Sequence, residues 1–188
     1  MTAHAPPPRR MRADARRNRE RLLAEARAAF AEHGADFSLE EIARRAGVAN
    51  GTLYGHFPNR RALLEALMGD RMRALAATGA DQLAAPPFEG LAAWARAAMD
   101  HAASYRGLGA SLMEAVEDET SELHAACKAV LAAGDELVAR ARASGAVRPD
   151  VTAEDVFALV TAAAWAGEQS TPAQAARLLD FGLAGLRP

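Results

Sequence analysis

The chain has 188 residues, 51% of them hydrophobic and 24% charged, with a net charge of −2; that is ordinary globular composition, enough for one medium domain or a small one joined to a larger one. No run of 18 or more apolar residues predicts a membrane span, and the Arg- and Pro-rich start lacks the apolar stretch of a secretory signal. Cys127 stands alone, which excludes an intrachain disulfide or a cysteine-based zinc site and fits a reducing cytoplasm.

The charge is unevenly spread. Residues 1–61 carry 12 basic and 7 acidic side chains, whereas residues 62–188 carry 10 and 17. A basic module on an acidic body is the footprint of a nucleic-acid binder. An Arg-rich solvated tail with no partner would give the same count.

Residues 1–13 contain Pro6-Pro7-Pro8 and no periodic apolar pattern, and read as a disordered basic arm. Its arginines, Arg9, Arg10 and Arg12 with Arg16 and Arg17 beyond, suit a minor groove or phosphates as well as they suit plain solubility. From Asp14 to His33 the positions Leu22, Leu23, Ala26, Ala29 and Phe30 have helical spacing, and Gly34 marks the end. Ser38 followed by Glu41 predicts a reciprocal capping box. It starts a short helix with Leu39, Ile42, Ala43 and Ala46 on one face, stopping at Gly47. A second short helix is predicted over Asn50–His56, with Leu53 and Phe57 inward and Pro58 beyond it.

Asn59 is expected to cap a longer helix carrying Leu63, Leu64, Leu67, Met68, Met72 and Leu75, ending near Gly79. Pro86-Pro87 opens the next, with Leu91, Trp94, Ala98, His101 and Tyr105 about a turn apart, broken by Gly107 and Gly109. A short helix over Leu108–Val116 follows. The acidic stretch from Glu117 to Ser121 caps a long helix with Leu123, Cys127, Val130, Leu131, Leu137 and Val138, ending at Gly145. Thr152 caps a helix over Glu154–Gly167, and Thr171-Pro172 starts a last one reaching Leu186. Nothing reads as a strand, so the expected fold is all-α with about nine helices.

The informative segment is 38–61. Ala43 and Ala46 let the two short helices approach closely, and the second helix has almost no apolar outer face. Asn50 can read an adenine edge with two bonds, and a major groove about 12 Å wide admits such a helix. Thr52, Tyr54 and His56 suit phosphate oxygens, while Gly51 and Gly55 let backbone lie close to a partner. Ser38, Arg44 and Arg60 complete the candidate DNA-binding set. Arg60 and Arg61 sit at a helix N-terminus, where a cation opposes the dipole unless a phosphate is nearby. Plainer readings stand beside these. Tyr54 could pack on the first helix, His56 could be an ordinary histidine, Thr52 could only cap, and Arg44 and Arg45 could be a solvated face.

This stretch resembles the TetR family of transcriptional regulators over about residues 20–66. The matching residues are Leu22-Leu23, Ala26, Phe30, Glu32, Gly34, Ile42-Ala43, Ala46-Gly47-Val48, Gly51-Thr52-Leu53-Tyr54, His56-Phe57, Arg60 and Leu63-Leu64. The resemblance implies a helix-turn-helix domain over 14–59, a helical ligand-binding and dimerisation body over 60–188, and a homodimer on double-stranded DNA. It implies DNA contacts from the positions of Asn50, Gly51, Thr52, Tyr54, His56 and Arg60. One departure is Ala49, where the family often has a Ser or Thr that caps the recognition helix; either Asn50 takes over the cap or the helix start is weakly capped. Farther on, Phe88-Glu89-Gly90-Leu91 with Trp94, then Arg106-Gly107-Leu108, Gly145 to Asp150 and the closing Gly185 to Pro188, resemble the SbtR-type C-terminal domain.

In that body Trp94, His101, Tyr105 and Leu112 are candidate lining for a small-molecule effector pocket. Met113, Val116, Leu123 and Cys127 complete the set, with Met99 nearby; plain core packing is the alternative for each. The last two helices offer Phe157, Val160, Ala164 and Trp165, with Leu178, Leu179 and Leu183, for a four-helix interface about a two-fold axis. A symmetric dimer predicts a palindromic operator; an effector would release it by favouring a conformer with the wrong helix separation, and a ligand-gated repressor is the expected role, although the sequence does not separate repressor from activator. A helical sensor or interaction protein without DNA binding is the alternative. No cofactor is expected: among His4, His33, His56, His101 and His124 no pair has metal-ligand spacing, and no phosphate loop or nucleophile elbow suggests an enzyme.

Overall fold

A computed structural model describes residues 9–33, 37–103 and 116–188. The described residues form eight helices and no strand: α1 (Arg9–His33), α2 (Leu39–Ala46), α3 (Asn50–His56), α4 (Arg60–Gln82), α5 (Pro87–Ala103), α6 (Glu122–Ala143), α7 (Ala153–Gln169) and α8 (Pro172–Ala184). The all-α reading holds and the count is close to the expected nine; the short helix expected over 108–116 falls almost wholly outside the described residues. So do residues 1–8 of the arm and the stop expected at Gly34. α1 begins at Arg9 rather than Asp14.

The chain divides into two compact units, Met1–Leu67 and Met68–Pro188. In the first, α1 packs on α2 and α3. Leu22, Leu23 and Ala26 of α1, Ile42 and Ala43 of α2 and Leu53 of α3 are buried together with Phe57 and Leu63. Burial of each large apolar side chain contributes roughly 1.5–3 kcal/mol, so this small core rests on a few well-placed residues.

In the second unit, α5 is the centre and packs against α6, α7 and α8. Trp94 of α5 has no exposed surface. Its ring meets Phe157 of α7 edge-on, with centroids 5.4 Å apart. Two glycines make room for it. A Cβ on Gly79 would come within 3.1 Å of Trp94 Nε1, and one on Gly134 within 2.8 Å of Cη2. This explains why α4 runs through Gly79 to Gln82 instead of stopping there: the glycine serves the indole's close approach, not termination.

The helix starts follow local chemistry. Ser121 accepts from the His124 N–H at 2.9 Å. Thr152 and Asp155 form a complete reciprocal capping box, and Thr171 with Pro172 opens α8. At Ser38 only half of the expected box forms. Ser38 accepts from the Glu41 N–H at 3.4 Å, but the Glu41 carboxylate turns to Arg44, at 2.6 and 2.9 Å.

Candidate nucleic-acid interface

The turn between α2 and α3 is set by Gly47. Its φ of +61° is left-handed, a conformation that glycine adopts without a side-chain clash. The Gly47 N–H donates to the Arg44 carbonyl at 3.1 Å and the Val48 N–H to Ala43 at 2.9 Å. This paired closure ends α2 sharply and swings the chain into α3.

No side chain caps α3. Ala49 is its N-cap residue, and only its carbonyl takes part, accepting from Thr52 and Leu53 at 2.9 and 3.1 Å. Asn50 therefore occupies the first helical position, exposed to solvent and not used as a cap. Leu53 is the buried anchor, Thr52 and His56 are half-buried, and Gly51 and Gly55 are exposed. A Cβ on either glycine would meet nothing within 4 Å. Each glycine costs a helix about 0.8–1.0 kcal/mol relative to alanine, and the fold itself offers no packing reason for either.

Tyr54 is 42% exposed, so it does not pack away on α1. Its hydroxyl donates to Glu40 Oε1 at 2.5 Å, while Ser38 Oγ donates to Glu40 Oε2 at 2.7 Å. The bonds from Tyr54 and then Ser38 hold the Glu40 carboxyl down at about 2, and Glu40 in turn raises Tyr54. Sequence reading named Ser38 and Tyr54 but missed Glu40, whose partner lies 14 residues away on another helix.

The arginines separate by role. Arg44 is exposed and pairs within its own helix with Glu41. Arg45, read from sequence as solvated face, instead reaches back to α1 and pairs with Glu25 at 3.1 Å and Glu32 at 3.0 Å. Arg60 donates to the Phe37 carbonyl at 2.8 Å and lies over the Phe37 ring at 4.5 Å, tying the start of α4 to the entrance of α2. Asn59 caps α4 through the Ala62 N–H at 2.9 Å, as expected. Arg61 offsets its place at that positive end by pairing with Glu65 at 2.7 Å.

In the second unit the described candidate pocket residues sit in different settings. Trp94 and Leu123 are buried in core, and Trp94 Nε1 has no hydrogen-bond partner among the described residues. Cys127 is half-buried, with its thiol 3.1 Å from Met72 Sδ, and burial pushes that thiol up. The Val116 carbonyl is bonded to the His124 ring at 2.7 Å. His101 lines an open groove of about 270 Å3 with Arg71, Thr78 and Asp100. Burial, and then the charge of Arg71, lower its pKa to about 4. Tyr105, Leu112 and Met113 lie outside the described residues.

The candidate interface residues also divide. Val160, Ala164, Leu179 and Leu183 are buried in the core of the second unit, and Phe157 is half-buried against Trp94. Trp165 and Leu178 point outward, 63% and 42% exposed, joined by Phe181 at 70%, which sequence reading did not single out. A groove of about 690 Å3 adjoins Phe181, floored by Leu159, Ala162 and Gly182.

Comparison with known proteins gives a consistent picture. Residues 86–188 match the profile described as "Transcriptional regulator SbtR-like, C-terminal domain", and residues 22–67 match "Bacterial regulatory proteins, tetR family". A 68-residue stretch is 35% identical to the HTH-type transcriptional regulator TtgW of Pseudomonas putida; it covers 36% of this chain and about half, 51%, of that protein. A TetR transcriptional regulator of Streptomyces coelicolor is 38% identical, with a TM-score of 0.73 over 90% of this chain and 98% of its own. A TetR regulatory protein of Mycobacterium vanbaalenii is 36% identical, with a TM-score of 0.72 over 95% of this chain and 99% of its own.

Proposed function

This chain belongs to the TetR family of helix-turn-helix transcriptional regulators, and from that premise we infer that it works as a homodimeric repressor which grips a palindromic operator and releases it when a small molecule binds the second unit. The family is one of regulators, not enzymes. One observation supports the DNA contact above the others. The outward face of α3 carries Asn50 and two exposed glycines for which the protein's own packing gives no need.

A helix with so little outer bulk can enter the major groove with its backbone close to the base edges. Asn50, left out of the cap, keeps both its donor and its acceptor for an adenine. Thr52 and His56 flank it for phosphate oxygens. Ser38 and Tyr54 add hydroxyls, and exposed Arg44 adds charge. Arg60 acts chiefly by fixing the frame through Phe37, and offers its remaining N–H groups to the backbone.

Trp165, Leu178 and Phe181 form the apolar face on which two copies meet. Two-fold symmetry then sets the recognition helices about 34–36 Å apart, one turn of duplex. An effector releases DNA only insofar as it prefers the conformer with the wrong spacing. Selection of bound duplexes from a random pool tests the reading. The expected result is an inverted repeat with half-site centres one duplex turn apart; recovery of unrelated, non-repeating sequences would contradict it.

A further inference from the structure

We propose that the Glu40 carboxylate occupies, in the DNA-free protein, the seat that a DNA phosphate takes in the complex. The geometry is that of an anion held by two converging donors. The Ser38 hydroxyl at the start of α2 and the Tyr54 hydroxyl on α3 donate to the two oxygens of one carboxylate, at 2.7 and 2.5 Å. Hydroxyls and helix starts are the groups that grip phosphate oxygens on duplex DNA. A hydroxyl has one hydrogen to donate. While Glu40 holds both, neither Ser38 nor Tyr54 can donate to a phosphate.

A plain stabilising role accounts for less. An acidic residue in the first turn of a helix is favourable, but Glu41 already supplies one there. Nor is the contact forced by burial, since Tyr54 and Glu40 are both exposed. The carboxylate can therefore swing into water when a phosphate arrives. Duplex binding must break both hydrogen bonds and bring a carboxylate near phosphates. That penalty is independent of sequence, so it holds down weak binding everywhere along DNA.

The inference rests on the DNA-binding reading above, and the test separates the two. Affinities of the full chain for a selected duplex and a scrambled one are measured at one salt concentration. The chains are wild type, Glu40→Gln, Glu40→Ala, Tyr54→Phe and the double variant Glu40→Ala/Tyr54→Phe. With the released hydroxyl bonds and the removed charge each giving a few-fold, Glu40→Ala tightens both duplexes by about tenfold. Glu40→Gln, which keeps an acceptor but loses the charge, gains about threefold. In the Tyr54→Phe background the gain from Glu40→Ala falls to a few-fold, because the hydroxyl it would free is gone. Thermal melts check folding; if Glu40→Ala melts early, the Glu40→Gln gain decides. Equal or weaker binding by folded Glu40 variants overturns the proposal, as does an undiminished gain without the Tyr54 hydroxyl. If neither wild type nor the Glu40 variants bind any duplex at low salt, the DNA-binding reading itself fails.

Discussion

Trp94 and Phe157 meet at 82° between ring planes, 5.4 Å apart, and Gly134 lies against both, close enough that a Cβ there would come within 2.8 Å of one ring and 3.0 Å of the other. Edge-to-face rings in a closed core cannot swing aside as a flexible chain end could. Gly134→Ala therefore overpacks the second unit at a cost of about 1–3 kcal/mol, offset by up to about 1 kcal/mol of helix propensity. Chemical denaturation should show a net loss of stability.

Arg45 joins α2 to α1 through Glu25 and Glu32, whereas Arg44 pairs with Glu41 inside α2. Replacing Arg45 with Met should lower the melting temperature of the first unit, and the gap from wild type should narrow as salt rises. Arg44→Met should leave melting nearly unchanged. Scanning calorimetry at low and high salt checks both expectations.

These residues also mark what the sequence could and could not tell. Thr152 was legible as a cap, and the starts near Ser121 and at Thr171-Pro172 as helix starts, because a cap bonds a backbone group three residues on. Arg45 was not legible as a tie, since Glu25 and Glu32 lie 20 and 13 residues away. Gly79 looked like a stop because its purpose, the indole beside it, belongs to another helix. The last two helices carry apolar residues on more than one face. Helical periodicity alone did not separate buried Leu179 from outward Phe181. The α3 motif was readable because its residue types and spacing are local; the Ser38–Glu40–Tyr54 cluster was not, because it spans two helices.

His101 ties stability to pH. Its pKa falls from 6.5 to about 4 on folding, in a groove it shares with Arg71 and Asp100. Between those values the unfolded chain takes up a proton that the folded chain refuses, so stability declines as pH drops through that window and its contribution levels off below it. His101→Gln should flatten that part of the stability profile, as followed by denaturation midpoints from pH 7 to pH 4.

Phe181 is 70% exposed and Trp165 63% exposed. On the proposed dimer face, Phe181→Glu should shift the protein towards monomer in sedimentation while its helical content stays intact, since no core contact is lost. The charge would have to be buried without a partner in the dimer, which is costly. Operator affinity should fall as dimerisation is lost.

The outer face of α3 is proposed to lie against DNA. Gly51→Leu tests this contact, because the position is exposed and a Cβ there would meet nothing in the protein within 4 Å. Helix propensity alone should raise stability by up to about 1 kcal/mol. The variant, melting at or above wild type, should lose operator affinity by about a hundredfold or more, as bulk holds the backbone off the base edges. Undiminished affinity in fluorescence anisotropy would contradict it.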